Sequence, residues 1–206
     1  MAEIVYVLTN EAMDGLVKIG LTTTSVEERI KQLDNTSLPL PFQCFYAAEV
    51  ANAALVESKL HKIFADKRVR NNREFFRVAA NQVREAIQLA ELKDVTPKTD
   101  VVVDASDIQA LKNAVASEER RSRLRFSELQ IPVGATLTFT KDANETCVVV
   151  ADGKIDYCGQ VMSPSAAALI VIRKLGYNWA AVSGSDYWEY DGETLTARRL
   201  QLEDAQ

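Results

Sequence analysis

The chain has 206 residues, of which 47% are hydrophobic and 26% are charged, and its formal net charge is -5 at pH 7. A chain of this length and composition is typical of globular proteins and can bury one sizeable hydrophobic core or two small ones. The acidic balance excludes a protein whose whole surface attracts polyanions, so any contact with nucleic acid requires a local basic patch.

The cysteines and the histidine argue against a disulfide scaffold and a structural zinc site. Cys44, Cys147 and Cys158 are an odd number without metal-ligand spacing, and His61 is the one histidine of the sequence. No basic segment precedes a long apolar run at the start, and no apolar stretch approaches about 18 residues. We therefore expect a reduced, cytoplasmic protein without a membrane-spanning segment.

The first predicted elements are a β-hairpin and a short helix. Ile4–Leu8 and Leu16–Leu21 are β-branched and apolar runs separated by turn-forming residues, which predicts two paired strands. Ser25 is followed three residues later by Glu28, the spacing of a capping box at a helix start. Apolar residues then recur at helical spacing, which predicts a helix over about 26–34.

Four further elements complete the first predicted domain, residues 1–94. A third strand is predicted over 42–50, and Asn52 is placed to cap the following helix. A short strand over 75–78 and a helix over about 81–92 follow. The apolar stripe predicted for the helix after Asn52 consists of Val56, Leu60, Ile63 and Phe64.

The middle of the chain predicts a linker. Lys93–Asp104 breaks all periodicity, and a new helix is predicted to begin near Ser106. Glu118–Arg125 is densely charged with both signs, which is typical of a solvated connecting helix, while a protein-interaction scaffold is the alternative. We assign residues 95–126 to this linker and 127–206 to a second domain.

The second domain is predicted to combine short strands with one helix, which makes the whole chain α+β. Asp152 and Gly153 lie between apolar runs, a strong signal for a two-residue hairpin turn. Ser163 is placed to cap a helix with Pro164 at its first position, and Gly176 ends that helix. The predicted strands are 136–141, 146–151, 154–159 and 194–200.

Tyr6 and Lys18 lie on the two strands of the predicted hairpin. Strand residues of equal parity share a face, so Tyr6 points away from Val5 and Val7, which we expect in the core. An antiparallel hairpin brings Tyr6 and Lys18 onto one face, where they define a shallow site. The alternative is the ordinary polar face of a half-buried hairpin.

Glu57 and His61 are four residues apart on one predicted helix and are therefore neighbours on its surface. A glutamate offers a hard carboxylate suited to magnesium or manganese, and a histidine can accept a proton near neutral pH. An exposed polar face explains the same spacing.

A local excess of basic residues follows Glu57, with only Asp66 and Glu74 as acidic residues among them. Such a patch can hold a phosphate backbone despite the acidic net charge, and a solvated helix end explains it equally well. The basic residues are Lys59, Lys62, Lys67, Arg68, Arg70, Arg73 and Arg77.

Several of these residues form an ordered set of motifs that resembles the GIY-YIG nuclease superfamily, in the phage and bacterial branch that carries Lys-Ile-Gly. The resemblance covers residues 3–78 and places the catalytic residues at matching positions along the chain. The motifs are Val5-Tyr6-Val7, Val17-Lys18-Ile19-Gly20 with Thr22, Arg29, Val56-Glu57, Leu60-His61 with Phe64, and Arg73-Glu74-Phe75-Phe76.

This resemblance implies a metal-dependent DNA endonuclease. Tyr6 would be the general base or its relay, Arg29 the clamp on the phosphate, and Glu57 the ligand of one divalent metal, Mg²⁺ or Mn²⁺. Since an ordinary tyrosine pKa near 10 is too high for a base at neutral pH, we expect the charge of Lys18 to lower it. His61 either orients Glu57 or closes the helix against the sheet.

The second half resembles the restriction enzyme and adenine methylase associated domain over residues 125–200. This resemblance implies a DNA-recognition module, with Trp188 as a DNA contact, in a protein of restriction or phage defence. The alternative is that the aromatic residues form the core of a small sheet domain. The motifs are Pro132-Val133-Gly134, Asp152-Gly153-Lys154-Ile155, Gly159, Ser163-Pro164-Ser165-Ala166-Ala167-Ala168 and Tyr187-Trp188-Glu189-Tyr190 with Gly192.

Taken together, the sequence predicts a DNA endonuclease with a C-terminal module that helps to choose the substrate. The runner-up is a catalytically inactive DNA-binding or regulatory protein that keeps the nuclease fold.

Overall fold

A computed structural model describes residues 3–34, 38–101, 105–121 and 125–205. The chain divides into two compact units, Met1–Asp107 and Ile108–Gln206. Each unit combines helices with an antiparallel sheet, which confirms the predicted α+β class. Apart from Arg125, the side chains of the charged segment 118–125 lie outside the described residues, so the scaffold alternative is untested.

The described residues of the first unit form a five-stranded sheet in the order β4-β2-β1-β3-β5, with antiparallel neighbours throughout. The predicted hairpin and the helices after Ser25 and Asn52 are all present. The strands are β1 Ile4–Thr9, β2 Val17–Thr22, β3 Gln43–Val50, β4 Phe75–Phe76 and β5 Glu91–Asp94, and the helices are α1 Val26–Leu33, α2 Ala53–Ile63 and α3 Ala80–Gln88, with a 3-10 turn at Ala65–Lys67.

Side-chain caps start α1 and α2 as the sequence predicts. The Ser25 hydroxyl accepts a hydrogen bond from the Glu28 N–H at 3.1 Å, and Asn52 Oδ1 accepts one from the Leu55 N–H at 2.8 Å. Each cap satisfies a donor that the helix itself leaves unpaired, and such caps typically contribute about 1 kcal/mol. The two helices that carry candidate site residues therefore begin at positions fixed by the local sequence.

Both faces of β1 are buried, which corrects the prediction of a half-exposed hairpin. Tyr6 belongs to a hydrophobic cluster with Val26 and Ile30 of α1. Val5 and Val7 point to the opposite face and are fully buried, and α2 and α3 both contact β1. Tyr6 is thus covered by α1 instead of lying open on a polar face.

The first unit extends beyond the predicted boundary at residue 94. The chain leaves α3 at Gln88 and forms β5, where we predicted the end of a helix and the start of a linker. The Val95 N–H donates to the Ala47 carbonyl at 2.9 Å, and the Ala47 N–H donates to the Thr96 hydroxyl at 3.1 Å. Pairing with the open edge of β3 outweighs the local helical pattern.

The apolar stripe of α2 is narrower than predicted. Leu60 is buried, but Ile63 is 61% exposed. Glu57 and His61 both bind the backbone of β2, and Ile63 lies on the other side of Leu60, where it faces solvent.

The described residues of the second unit contain a six-stranded antiparallel sheet in the order β11-β10-β6-β7-β8-β9. The predicted turn joins β7 to β8 with Gly153 at φ 69°, and the Ser163 hydroxyl caps α5. The strands are β6 Thr136–Phe139, β7 Asp142–Ala151, β8 Lys154–Tyr157, β9 Gln160–Met162, β10 Trp188–Tyr190 and β11 Glu193–Thr194; the helices are α4 Ala105–Arg121, which contains the division between the units, α5 Pro164–Lys174 and α6 Leu195–Asp204, with a 3-10 turn at Gly184–Asp186.

The prediction of a last strand over 194–200 is wrong beyond Thr194, because Leu195 begins α6. The Thr194 hydroxyl accepts a hydrogen bond from the Ala197 N–H at 3.1 Å and caps the helix. Leu195 and Leu200 are both buried. A threonine that caps its own helix therefore starts α6 where we predicted a strand.

Trp188 is part of the core of the second unit, which corrects its assignment as a DNA contact. Its side chain is 0% exposed, and its indole N–H donates to the Pro164 carbonyl at 2.9 Å. The Phe139 ring meets it edge-on, with centroids 5.1 Å apart. A base cannot stack on this ring unless the core opens, so the alternative of a core aromatic is the one observed.

Among the described residues, no helix combines the length and apolar character needed to cross a membrane.

Candidate active site

Tyr6 is held between α1 and β2. Its hydroxyl accepts a hydrogen bond from Nε of Arg29 at 3.3 Å, and Tyr6 itself is 1% exposed. Gly20 lies directly opposite Tyr6 in the β1–β2 register. A Cβ atom at Gly20 would lie 2.6 Å from the Tyr6 hydroxyl oxygen, a distance that no real contact of this kind tolerates. The glycine therefore lets the phenol ring lie across β2.

Burial raises the pKa of Tyr6, while the hydrogen bond and charge of Arg29 lower it, and the net pKa is above the usual value. The same hydrogen bond raises the pKa of Arg29. We expected Lys18 to supply the positive charge beside the phenol, but the cation in contact with Tyr6 is Arg29. The free protein thus presents a neutral phenol to a permanently charged guanidinium.

Lys18 is buried and forms an ion pair with Glu74. It is 7% exposed and shares a face with Tyr6, because Leu8 pairs with Lys18 two residues along the hairpin from Tyr6. Its ammonium nitrogen also lies 5.7 Å from the centroid of the Phe75 ring. A lysine buried to this degree requires a counter-ion, and Glu74 provides it.

Glu74 is a site residue to which the sequence assigned no role. It stands in the Arg73-Glu74-Phe75-Phe76 motif and is one of the two acidic residues within the basic patch, but neither observation predicts its contact with Lys18. The available signal was the position of Glu74 immediately before β4, the strand that pairs with Val17 and Lys18. The strand pairing brings Glu74 to Lys18 across 56 positions of the chain and is not visible in any local pattern.

The Glu74 carboxyl stays ionised in the folded protein. Burial acts to raise its pKa, but the hydrogen bond and charge of Lys18 act against burial, and the net pKa is below the usual value. The charges of His61 and Arg29 lower it further. The site thus contains a carboxylate that is stabilised by the cations around it.

Glu57 projects from α2 toward the same group and is half-buried. Burial raises the pKa of Glu57 above its usual value, and the charge of Glu74 adds to the rise. The charges of His61 and Lys18 and a hydrogen bond from the Leu21 N–H act in the opposite direction. Since the pKa of Glu57 remains raised, the positive groups nearby do not fully offset the cost of burying the ionised carboxylate.

His61 fastens α2 to the edge of β2. Its Nε2 lies 3.2 Å from the carbonyl oxygen of Ile19, and its ring packs 5.1 Å from that of Phe76. Because a carbonyl can only accept, Nε2 carries the proton and donates. Of the two predicted roles, the structure supports closure of the helix against the sheet.

The spacing of Glu57 and His61 matches the spacing of the backbone groups that they bind. Four residues along a helix span about 6 Å. Two residues along a strand, here Ile19 to Leu21, span about 6.6 Å. Glu57 and His61, on one side of α2, can therefore form hydrogen bonds with the Leu21 N–H and the Ile19 carbonyl at the edge of β2.

The basic residues after Glu57 differ in their exposure. Lys59, Lys62, Arg70 and Arg73 are exposed, whereas Lys67, Arg68 and Arg77 are partly buried. Nε of Arg68 donates to the Arg73 carbonyl at 2.7 Å, and its guanidinium lies 5.4 Å from the centroid of the Phe76 ring. Arg68 thus has a structural contact of its own, while the exposed members remain the candidates for a phosphate backbone.

Glu57 is the residue best suited to hold a divalent metal. Within the described part of the chain, no group of three or more histidine, cysteine, aspartate or glutamate residues is placed to form a metal site by itself. Glu57 supplies one incompletely compensated carboxylate, and Glu74 is occupied by Lys18. A hard cation with one protein ligand and several waters fits this donor set.

The comparison with known families supports a nuclease-type domain. Residues 3–91 match the family model named T5orf172 domain, a family of nuclease type. The match runs from before β1 to the start of β5 and includes all six polar residues that meet here, namely Tyr6, Lys18, Arg29, Glu57, His61 and Glu74.

No curated protein matches the chain.

Proposed function

We propose that the first unit is a metal-dependent DNA endonuclease that hydrolyses phosphodiester bonds. The observation that carries this proposal is that Tyr6, Arg29, Glu57 and Glu74 converge beside β2. The Tyr6 hydroxyl accepts a hydrogen bond from Arg29 at 3.3 Å, and the charges of Arg29, Glu57 and Glu74 all act on the pKa of Tyr6. Phosphodiester hydrolysis needs an oriented water and positive charge beside the phosphate oxygens, and this group offers residues for both.

Glu57 would hold the metal, Mg²⁺ or Mn²⁺, because its half-buried carboxylate lacks full compensation in the free protein. When bound, the cation would neutralise charge on the phosphate and lower the pKa of a coordinated water. The Leu21 N–H and the docking of His61 fix the position of α2, and thereby of Glu57.

Tyr6 would orient the attacking water and relay its proton. Its hydroxyl accepts a hydrogen bond from Arg29 and can still donate its own hydrogen and accept one more. The raised pKa argues against a standing phenolate, so the tyrosine acts by passing a proton on. Arg29 holds the phenol in place and contributes a permanent positive charge for the phosphate.

The second unit is the candidate for selecting the DNA, in a cytoplasmic protein of restriction or phage defence. This assignment rests on the resemblance of its sequence motifs. Because Trp188 and Trp179 are buried, recognition would have to use the exposed surface and not these rings.

Replacement of Tyr6 by phenylalanine tests the proposed function. Tyr6→Phe keeps the buried ring and removes only the hydroxyl, so the fold should persist. Loss of a general acid–base group typically costs 100-fold or more, and we expect the rate of plasmid nicking with Mg²⁺ to fall by about 100-fold. EDTA should abolish nicking by the wild-type protein. Equal nicking by both proteins, purified in parallel, would sink the proposal.

A second candidate function is DNA binding without cleavage. The observation in its favour is that Tyr6 and Lys18 are almost completely covered, and that Lys18 is engaged by Glu74. This candidate predicts salt-dependent DNA binding by the wild-type protein and no nicking with either Mg²⁺ or Mn²⁺.

The exposed basic residues give a prediction that holds for both candidates. Lys62→Ala should weaken DNA binding several-fold and reduce the slope of log affinity against log salt by about one, as expected for one lost phosphate contact. The matched control is Lys93→Ala, because Lys93 is an exposed lysine on β5, at the sheet edge opposite β4. Fluorescence anisotropy of a short duplex across a salt series measures both slopes. Equal slopes for the two variants would contradict binding at the basic patch.

A further inference from the structure

Glu74 acts on nearly every charged group of the candidate site. Its carboxylate pairs with Lys18, and its backbone carbonyl accepts the Ile19 N–H at 3.1 Å, which fixes its main chain beside β2. Its charge also affects Glu57 and Arg29. Glu74 therefore has a fixed position at the point where the two acidic and two basic side chains meet.

With His61 in its neutral form, the charges of this site cancel in the free protein. Lys18 and Arg29 contribute two positive charges, and Glu57 and Glu74 contribute two negative charges, with the histidine counted as neutral. A DNA phosphate would gain little Coulomb energy by entering such a site. A divalent cation on Glu57 would change the net charge from zero to two positive charges.

We infer that Glu74 is a positioning residue that makes capture of the scissile phosphate depend on the metal. The Glu74 carboxylate is the counter-ion of the Lys18 ammonium, so the site attracts a phosphate only after a divalent cation has bound. This inference rests on the proposed assignment of Glu57 as the metal ligand.

The unequal exposure of the two partners supports this role beyond a structural ion pair. The Glu74 side chain is far more exposed than that of Lys18, so the carboxylate lies on the solvent side of the pair. An incoming anion therefore meets the negative partner first. Without Glu74, the Lys18 charge would be available to the phosphate whether or not a metal is present.

The test measures DNA affinity of the full chain in EDTA, where no cleavage occurs. Glu74→Gln keeps a hydrogen-bond acceptor for Lys18 and removes the charge, so we expect it to bind a short duplex about fivefold more tightly than the wild-type protein at low salt. Addition of CaCl₂ should then strengthen binding less than it does for wild type. Glu27→Gln, an exposed glutamate of α1, is the matched control and should change affinity less than about twofold.

A charge-restoring variant separates this effect from structural damage. Lys18→Met combined with Glu74→Gln again has no net charge in the site, and it should return the affinity in EDTA to the wild-type level. Unchanged or weaker binding by a folded Glu74→Gln variant would overturn the inference. If Glu74→Gln lacks a cooperative unfolding transition, Lys18→Met is compared with the double variant instead. Lys18→Met leaves the site with one net negative charge, so it must bind DNA more weakly than the double variant, whose site is neutral.

The two proposals fail in different ways. If the wild-type protein never nicks DNA but Glu74→Gln binds more tightly in EDTA, the proposed cleavage fails and the inference stands for a phosphate that is bound without being cleaved. If the wild-type protein nicks DNA while Glu74→Gln binds no better in EDTA, the inference fails alone.

Discussion

Glu57→Gln should reduce Mg²⁺-dependent DNA nicking by about a thousandfold, because it removes the one carboxylate assigned to the metal. Glutamine has nearly the same shape and can still accept the hydrogen bond from the Leu21 N–H. DNA affinity in EDTA should persist, since the exposed basic residues are untouched. Single-turnover nicking of a supercoiled plasmid measures the loss of rate.

The same substitution should leave the folded state as stable or make it more stable. The pKa of Glu57 is raised on folding, so the ionised carboxylate destabilises the folded protein relative to the unfolded chain at neutral pH. This penalty is present above the folded pKa and disappears as the pH falls to the unfolded value. Glu57→Gln should therefore melt at an equal or higher temperature at pH 7, and the advantage should vanish in acid.

Opposite changes in activity and stability distinguish a metal ligand from a packing residue. Glu85→Gln is a suitable control, because Glu85 is an exposed glutamate on α3 and glutamine can still accept the hydrogen bond that Asn81 donates. If Glu57→Gln nicks DNA at the wild-type rate, Glu57 is not the metal ligand. If the variant loses activity and stability together, its effect is structural.

Trp188→Ala should destabilise the second unit by about 3–5 kcal/mol, the range observed when a fully buried large aromatic is truncated. The change removes the ring between Phe139 and Tyr157 and leaves the Pro164 carbonyl without its indole donor. Urea unfolding followed by circular dichroism measures the loss. Because the chain has two compact units, the transition of the second unit should move while that of the first stays in place.

Two further variants identify the source of this loss. Trp188→Phe retains a ring and loses only the N–H donor and part of the volume, so its cost should be smaller, about 1–3 kcal/mol. Val161→Ala truncates a side chain that is 63% exposed and should change stability by less than about 0.5 kcal/mol. A Trp188→Ala protein with wild-type stability and lost DNA affinity would restore Trp188 as a DNA contact.

The sequence predicted those parts of the fold that local chemistry determines. Ser25, Asn52 and Ser163 cap helices with their own side chains, and the Asp152-Gly153 turn needs only its two residues and the flanking strands. These signals are complete within a few positions of the chain. The shared face of Tyr6 and Lys18 was predictable for the same reason, since it follows from strand parity.

The errors arose where distant segments compete with local preference. The segment after Gln88 became β5 because β3 offers an unpaired edge, and nothing near residue 91 signals that edge. The role of Glu74 depended on β4 pairing with β2, and the cation beside Tyr6 depended on how α1 lies over β1. The residues after Thr194 were misassigned although their helix cap is local, because threonine favours both strands and helix starts.

The docking of α2 also protects the sheet from unwanted association. Beyond the short strand β4, β2 would present the Ile19 carbonyl and the Leu21 N–H as an open edge, which is a template for pairing with another chain. His61 and Glu57 occupy these two groups in place of a neighbouring strand. The candidate metal ligand Glu57 thus also covers part of the exposed strand edge, together with His61. Selection for solubility alone would retain Glu57 and His61 even in a relative that had lost cleavage.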